Sequence, residues 1–413
     1  MEKISVTDFG PIRHAEVEIK PFCILIGHTS SGKSTIAKLL DLFNSRDFYS
    51  IESKNDLTSF IPLLKKYCID FDLKKKTNII YQKDEYTWTI SKKGIQTNYP
   101  FAEIISDWGN GNVIFAKRNK PFRTRIIKLL DLLNEDIRSL ELQRLERIER
   151  FPNEKIRDDQ YIQLYSRLIH TYVYDLSPSV YIPAERILMS VLSKAIFSFY
   201  EKGINLPDCL KTFANTYSLA KDNQEQYKIN FLNLEVHFDA ETSDKIHLEN
   251  GEEIELSQAS SGLQSVIPLL SVFDLDLDLD ENSYRIIEEP ELNLYTEVQK
   301  DLTEYLVKRT KETKAKLFIT THSPYILSTI QNLLQAGNIA AESPEKAEQV
   351  AKLVSPDKWI DYNDLTCQFF SNDGTSHNIL NDEYHTIGIN QMDDVSTELS
   401  EIYDSLLDIK YNE

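Results

Sequence analysis

The chain has 413 residues, with 46 Lys and Arg against 65 Asp and Glu, giving a formal net charge of −19. This length suits two or three structural units of about 100 to 200 residues each, and 41% hydrophobic with 10% aromatic residues excludes a wholly disordered chain. No run approaches the ~18 apolar residues of a membrane span, and the start lacks the apolar stretch of a signal peptide. The four cysteines, Cys23, Cys68, Cys209 and Cys367, lie too far apart for a disulfide framework or a cysteine zinc site. A cytoplasmic address and no membrane partner are expected.

Ile4 to Thr7 and Ala15 to Ile19 alternate apolar with polar residues and predict half-buried strands, broken at Phe9-Gly10-Pro11. Phe22 to Ile26 is a continuous apolar run, as in a strand buried on both faces. Gly27 to Lys33 predicts a loop and Ser34 to Phe43 a helix. Ile79 to Tyr81 and Tyr86 to Ile90 predict a hairpin around Asp84. Pro121 to Tyr174 predicts charged helix, with 10 basic and 9 acidic residues between 121 and 170. Arg144, Arg147 and Arg150 share one face there; interleaved glutamates favour a salt-bridged exposed helix over a nucleic-acid contact. Val180 to Ile182 is strand-like and stops at Pro183; helix follows from about Leu188 to Ala220, then strands at Lys228 to Phe238 and Lys245 to Leu248, with a turn at Asn250-Gly251. The last third alternates Arg285 to Glu288, helix Leu294 to Arg309 with an apolar stripe of Leu294, Val298, Leu302 and Leu306, strand Ala315 to Thr321, and helix Pro324 to Leu334.

Chemistry concentrates in four places. Gly27-His28-Thr29-Ser30-Ser31-Gly32-Lys33-Ser34 fits G-x-x-x-x-G-K-[ST] between a buried strand and a helix. Such a loop curls backbone N–H groups around phosphate oxygens, with Lys33 reaching the β- and γ-phosphates and the Ser34 hydroxyl placed for Mg2+. Thr35 follows in the same helix turn and joins this candidate nucleotide site. Arg285 to Glu291 reads as a strand ending in paired carboxylates, which places Glu288 for the Mg2+ shell and Glu289 to orient and activate the attacking water. Ser260-Ser261-Gly262-Leu263-Gln264 opens a helix and is a candidate anion site, although a Ser-Gly pair also serves as an ordinary cap. Leu317 to Thr321 delivers His322 into a turn closed by Ser323-Pro324, where a γ-phosphate sensor would stand.

In order and spacing, these four elements resemble the ABC-type ATPase heads of the SMC, RecF and overcoming-lysogenization-defect (OLD) group. The resemblance implies an α/β fold: an ABC-type P-loop head with a mixed sheet flanked by helices, spanning 1–45 and 175–340. A mixed then helical insertion (46–174) and an acidic C-terminal region (341–413) lie outside it. It further implies ATP and Mg2+ as cofactors, bound between the phosphate loop of one protomer and Ser260, Ser261, Gly262 and Gln264 of another, so that ATP binding closes a homodimer or higher homo-oligomer. Catalysis would rest on Lys33, Glu289 and His322, with Ser34 and Glu288 on the metal. Tyr181-Ile182-Pro183-Ala184-Glu185-Arg186 recurs in OLD-like ATPases, where Arg186 could replace the glutamine loop of transporters or form a salt bridge at a helix start.

Glu288 departs from the usual Asp of that strand. A Toprim nuclease unit, expected next in OLD nucleases, would need an Asp-x-Asp that the 79 residues after Leu334 do not contain. The Asp-Leu run from Asp274 to Asp280 has the spacing but precedes the catalytic strand, and reads as an acidic linking strand or turn. The expectation is an ATPase that controls a separate effector, a nuclease or toxin, as in the ATPase halves of the PARIS, Septu and retron-associated anti-phage systems. Alternatives are a RecF-like repair ATPase acting on DNA and a nucleotide-locked scaffold with little turnover. Residues 341–413 carry 16 acidic against 4 basic residues, hence 12 of the 19 excess negative charges. Bulk charge therefore disfavours DNA, and the acidic tail is a candidate docking surface for a basic effector, or else a solvated tail.

Overall fold

The computed structural model describes residues 2–49, 57–98, 142–147, 179–192, 206–239, 244–275, 282–388 and 400–406, together with 139, 277 and 279. The two alternating segments at the start pair antiparallel as β1 (Glu2–Phe9) and β2 (Ile12–Glu18). They precede β3 (Phe22–Gly27) and helix α1 (Lys33–Phe43). The predicted hairpin is β4 (Asn78–Lys83) and β5 (Tyr86–Ser91), turned through Asp84 at φ 53°, and β6 (Gly94–Thr97) extends it. These strands form an antiparallel sheet in the order β2-β1-β4-β5-β6. Part of the insertion thus continues a sheet begun by the first strand.

Next come β7 (Ser179–Ile182), a short helix Ile187–Leu192 and α2 (Asp208–Asn223). The single strand predicted over 228–238 is a hairpin: β8 (Gln226–Ile229) and β9 (Leu234–His237) pair antiparallel around a 3-10 turn that ends in Asn233 at φ 50°. Asparagine tolerates that left-handed conformation, so the chain reverses inside an apolar stretch. With β10 (Lys245–Leu248) and β11 (Glu253–Glu255) the hairpin makes a four-stranded sheet.

The remaining elements are α3 (Ser261–Phe273), β12 (Tyr284–Glu288), α4 (Thr296–Thr313), β13 (Lys316–Thr321), α5 (Pro324–Glu342), α6 (Pro344–Ala351), β14 (Leu365–Phe370) and β15 (Ser376–Asn378). The main sheet runs β15-β14-β3-β13-β12-β7, with all neighbours parallel except the edge strand β15. Strand β14 comes from the acidic region and pairs with β3 from Leu365 opposite Phe22 to Phe370 opposite Gly27. The fold is mixed α/β, as expected.

Side chains of β3 alternate between two cores. Phe22, Ile24 and Ile26 pack with α2 to α5, while Cys23 and Leu25 pack with α1 and the five-stranded sheet. Helix α1 is therefore clamped between two sheets, and the loop before it has a rigid floor. On α4 the buried stripe is Gln299, Leu302, Thr303, Leu306, Val307 and Thr310, whereas Leu294 lies ahead of the helix. A strict four-residue spacing overshoots a full turn by about 40° per step, so it drifts off the buried face.

Residues 142–147 are helical, with Leu145 buried and Arg147 exposed; Arg150 and the rest of the charged stretch lie outside the described residues. Residues 400–406, in the acidic C-terminal region, are helical and exposed. Asp274 ends α3 as a buried anchor that accepts hydrogen bonds from Tyr227, Tyr305 and Arg309, while 276, 278 and 280 lie outside the described residues. Among the described residues no helix is long and apolar enough to cross a membrane.

Candidate functional site at the carboxyl ends of the parallel strands

Parallel strands direct their carboxyl ends to one edge of the sheet, and β3, β13, β12 and β7 deliver the phosphate loop, His322, Glu288-Glu289 and Pro183 there. Gly27 has φ 141°, and a Cβ on it would lie 2.2 Å from the Phe370 carbonyl oxygen. Gly32 has φ 107°, and a Cβ there would sit 2.3 Å from Ile12 Cγ1. Both positions need glycine for conformation and for space.

Within the loop, His28 N donates to Phe370 O at 3.1 Å, and its ring meets Phe369 edge-on at 5.6 Å. Thr29 and Ser30 are exposed, with Ser30 at φ 60°, while Ser31 is buried and its Oγ donates to His28 O at 2.7 Å. The Lys33 ammonium folds back into the loop and donates to Gly27 O at 3.0 Å and His28 O at 2.7 Å. Burial lowers its pKa to about 8, partly offset by Glu289, Glu291 and Glu288, so it stays cationic at neutral pH. Thr35 is buried in the first turn of α1.

Glu288 is 4% exposed at the end of β12. Burial raises its pKa, opposed by the charge on Lys38 and by hydrogen bonds from Tyr181 and Ser34. The Tyr181 hydroxyl reaches Glu288 Oε1 at 2.5 Å. Ser34 and Glu288 therefore meet, a hydroxyl and a desolvated carboxylate, which is an oxygen donor pair that fits Mg2+. Glu289 adopts φ 43°, a strained conformation for a side chain-bearing residue. Its Oε1 lies 3.3 Å from His322 Nε2, and that bond is the first cause of its lowered pKa.

The structure thus brings Lys33, Ser34, Glu288, Glu289 and His322 to one edge. Ser260 caps α3 by accepting from Leu263 N at 3.4 Å, and both Ser260 and Ser261 are exposed at its tip. Gln264 Nε2 donates to Ser257 O at 2.8 Å, and a Cβ on Gly262 would lie 2.8 Å from Asn293 O. The start of α3 is therefore braced against the loop that follows β12.

Two residues outside the predicted site shape it. Glu291 Oε1 accepts from Thr321 Oγ1 and from His322 N, each at 2.7 Å, and so fixes the backbone that carries His322. Its only sequence signal is its place in Glu-Glu-Pro-Glu. Tyr181, which holds Glu288, was visible only as part of the Tyr181 to Arg186 segment. Arg186 itself is fully buried and donates to four backbone carbonyls, so its partners are not those of a salt bridge. Burial lowers its pKa to about 10, opposed by Glu291, Glu289, Glu288 and Glu185.

The sequence profile of the AAA ATPase domain family matches residues 1–86 and 62–327. No curated protein matches the chain. Among solved structures it is similar to the Smc head domain of Pyrococcus furiosus bound to the C-terminal domain of ScpA, at 11% identity and TM-score 0.35, covering 80% of this chain and 92% of that one. The SMC head domain of Thermotoga maritima matches at 11% identity and TM-score 0.32, covering 79% and 90%. The Smc head domain of Pyrococcus yayanosii matches at 12% identity and TM-score 0.35, covering 93% and 98%. With the profile running through the phosphate loop, the paired carboxylates and the turn at His322, the chain belongs to the AAA ATPase domain family.

Proposed function

We propose that this chain is a Mg2+-dependent ABC-type ATPase of the OLD-like branch that closes as a homodimer around ATP and thereby controls a separate effector protein, in the manner of an anti-phage defence ATPase. The observation that carries the reading is the convergence of Lys33, Ser34, Glu288, Glu289 and His322 while Ser260 and Ser261 stay exposed on a helix tip. Exposed at a helix start, those two serines are open to the phosphates bound by a second copy.

The loop N–H groups and Lys33 would bind the β- and γ-phosphates, with the ammonium leaving the carbonyls of Gly27 and His28 to do so. Ser34 and Glu288 would hold Mg2+, which when bound supplies positive charge against the phosphate oxygens. Glu289, held ionised by His322, orients the attacking water and accepts its proton. His322 sits beside it as a γ-phosphate sensor, and its backbone is set by Glu291. Ser261 and Gly262 of the partner copy complete the site with helix N-terminal N–H groups. Nucleotide then favours the closed dimer because the closed state alone offers both halves.

The test is a pair of variants. Lys33→Ala is expected to abolish ATP binding, and tight binding by that variant would remove the central assignment. Glu289→Gln is expected to keep ATP binding, lose turnover, and accumulate a dimer in ATP by sedimentation. A Glu289→Gln protein that stays monomeric in saturating ATP refutes the closing-dimer reading.

A further inference from the structure

The signature-like helix α3 carries Pro268 in its interior. Proline has no N–H, so the carbonyl four residues earlier, that of Gln264, loses its helical donor. Ser190 supplies the replacement: its Oγ donates to Gln264 O at 2.7 Å, and the residue is 4% exposed. One position further on, Ser265 O accepts from Arg186 Nε at 3.3 Å. Both donors come from the turn and short helix that follow β7.

The other end of Arg186 holds the catalytic strand. The ladder between β12 and β7 ends at Ile287 opposite Ile182, and Pro183 has no N–H to extend it. Arg186 takes over there, with Nη1 on Glu288 O at 2.8 Å and on Pro183 O at 3.1 Å, and Nη2 on Glu289 O at 2.7 Å. One fully buried guanidinium therefore joins the backbone of both catalytic carboxylates to the first turns of α3. Gly262, lying against Asn293 O, adds a second link between the same two elements.

We infer that Arg186 and Ser190 are positioning residues that tie the catalytic strand end of one protomer to its own Ser260–Gly262 turn, and so set how well that turn completes the ATP site of a second copy. The inference rests on the closing-dimer reading. Pro268 has a role in this arrangement: by freeing the Gln264 carbonyl it lets the first turn of α3 be held from outside the helix. The helix tip then follows the strand end rather than the rest of α3.

The experiment uses the full chain with Glu289→Gln as parent, adding Ser190→Ala, Ser190→Thr or Pro268→Ala. Pro268→Ala returns an N–H to the helix and so competes with Ser190 for the Gln264 carbonyl. Losing one hydrogen bond from the link is expected to raise the protein concentration for half-dimerisation in ATP about three- to tenfold. Ser190→Ala and Pro268→Ala should both do this, with the ATP affinity of the monomer unchanged, and Ser190→Thr should restore the parent value. On the Glu289 background, Ser190→Ala should lower kcat at limiting protein with KM for ATP unmoved. Dimerisation equal to the parent in both alanine variants overturns the inference while leaving the closing dimer intact. A parallel loss of monomer ATP affinity also overturns it, because Ser190 would then support only its own phosphate site. If the Glu289→Gln parent itself fails to dimerise, the closing-dimer reading falls first and takes this inference with it.

Discussion

Asp41 offers a quantitative test of the packing behind the phosphate loop. It lies on α1, accepts a hydrogen bond from Ser179 Oγ at 2.5 Å, and borders a cavity of about 600 Å³ that Asn44, Tyr67 and Tyr181 also line. Burial pushes its carboxyl from 3.8 up to about 6, against the opposing bonds from Ser179 and Tyr67. The folded state thus holds the Asp41 proton more tightly than the unfolded chain does. The stabilisation from that proton is complete below about pH 4 and is lost as pH rises through about 6. A displacement of about two pH units corresponds to ~3 kcal/mol at about 1.36 kcal/mol per unit. Asp41 is only partly buried as a residue, which makes that figure an upper limit, and about 1–2 kcal/mol is expected. Asp41→Asn keeps an acceptor for Ser179 and cannot ionise. Urea unfolding followed by tryptophan fluorescence should find the variant about as stable as the parent near pH 4 and more stable by that amount above about pH 7. A stability difference that is the same at both ends, or that turns against the variant at the higher pH, refutes the argument.

Gly27→Ala would set a Cβ 2.2 Å from a backbone oxygen at a φ of 141°, so neither side can yield cheaply. It should lower the thermal midpoint by an amount equivalent to about 2 kcal/mol or more, and an unchanged midpoint would mean that the strand pairing at Phe370 is wrong. A chain ending at Asp364 removes β14, whose six residues are all buried beside β3. Losing Leu365, Cys367, Phe369 and Phe370 forfeits about 6–10 kcal/mol of apolar burial, comparable to the whole stability of a domain. Circular dichroism of that truncation should show no cooperative unfolding transition, and a sharp one would contradict the central place of β14.

The strands next to the chemistry were legible because each is a compact apolar run closed by a polar signal. Phe22 to Ile26, Arg285 to Glu288 and Leu317 to Thr321 all appear as strands within a residue or two of the expectation. Strand β14 carries no such signal, because Leu-Thr-Cys-Gln-Phe-Phe lies in an acidic stretch whose neighbours suggest solvent. Its burial comes from pairing with β3, which lies near the start of the chain, and from the core that β3 shares. The break between β8 and β9 was hidden for a different reason: a left-handed Asn233 is a backbone choice that an apolar pattern does not record.

The phosphate loop, the carboxylate pair and the His322 turn can be read from residue order alone, because such chemistry needs particular side chains at short, fixed spacings. What holds them in place emerges from contacts between elements far apart in the chain. Tyr181 on Glu288 and Glu291 under His322 are pairings across the sheet. The targets of Arg186 and Ser190 are backbone carbonyls, which every residue possesses alike. No pattern of residue types can mark such an acceptor, so the link from β12 to α3 becomes visible only once the chain is folded.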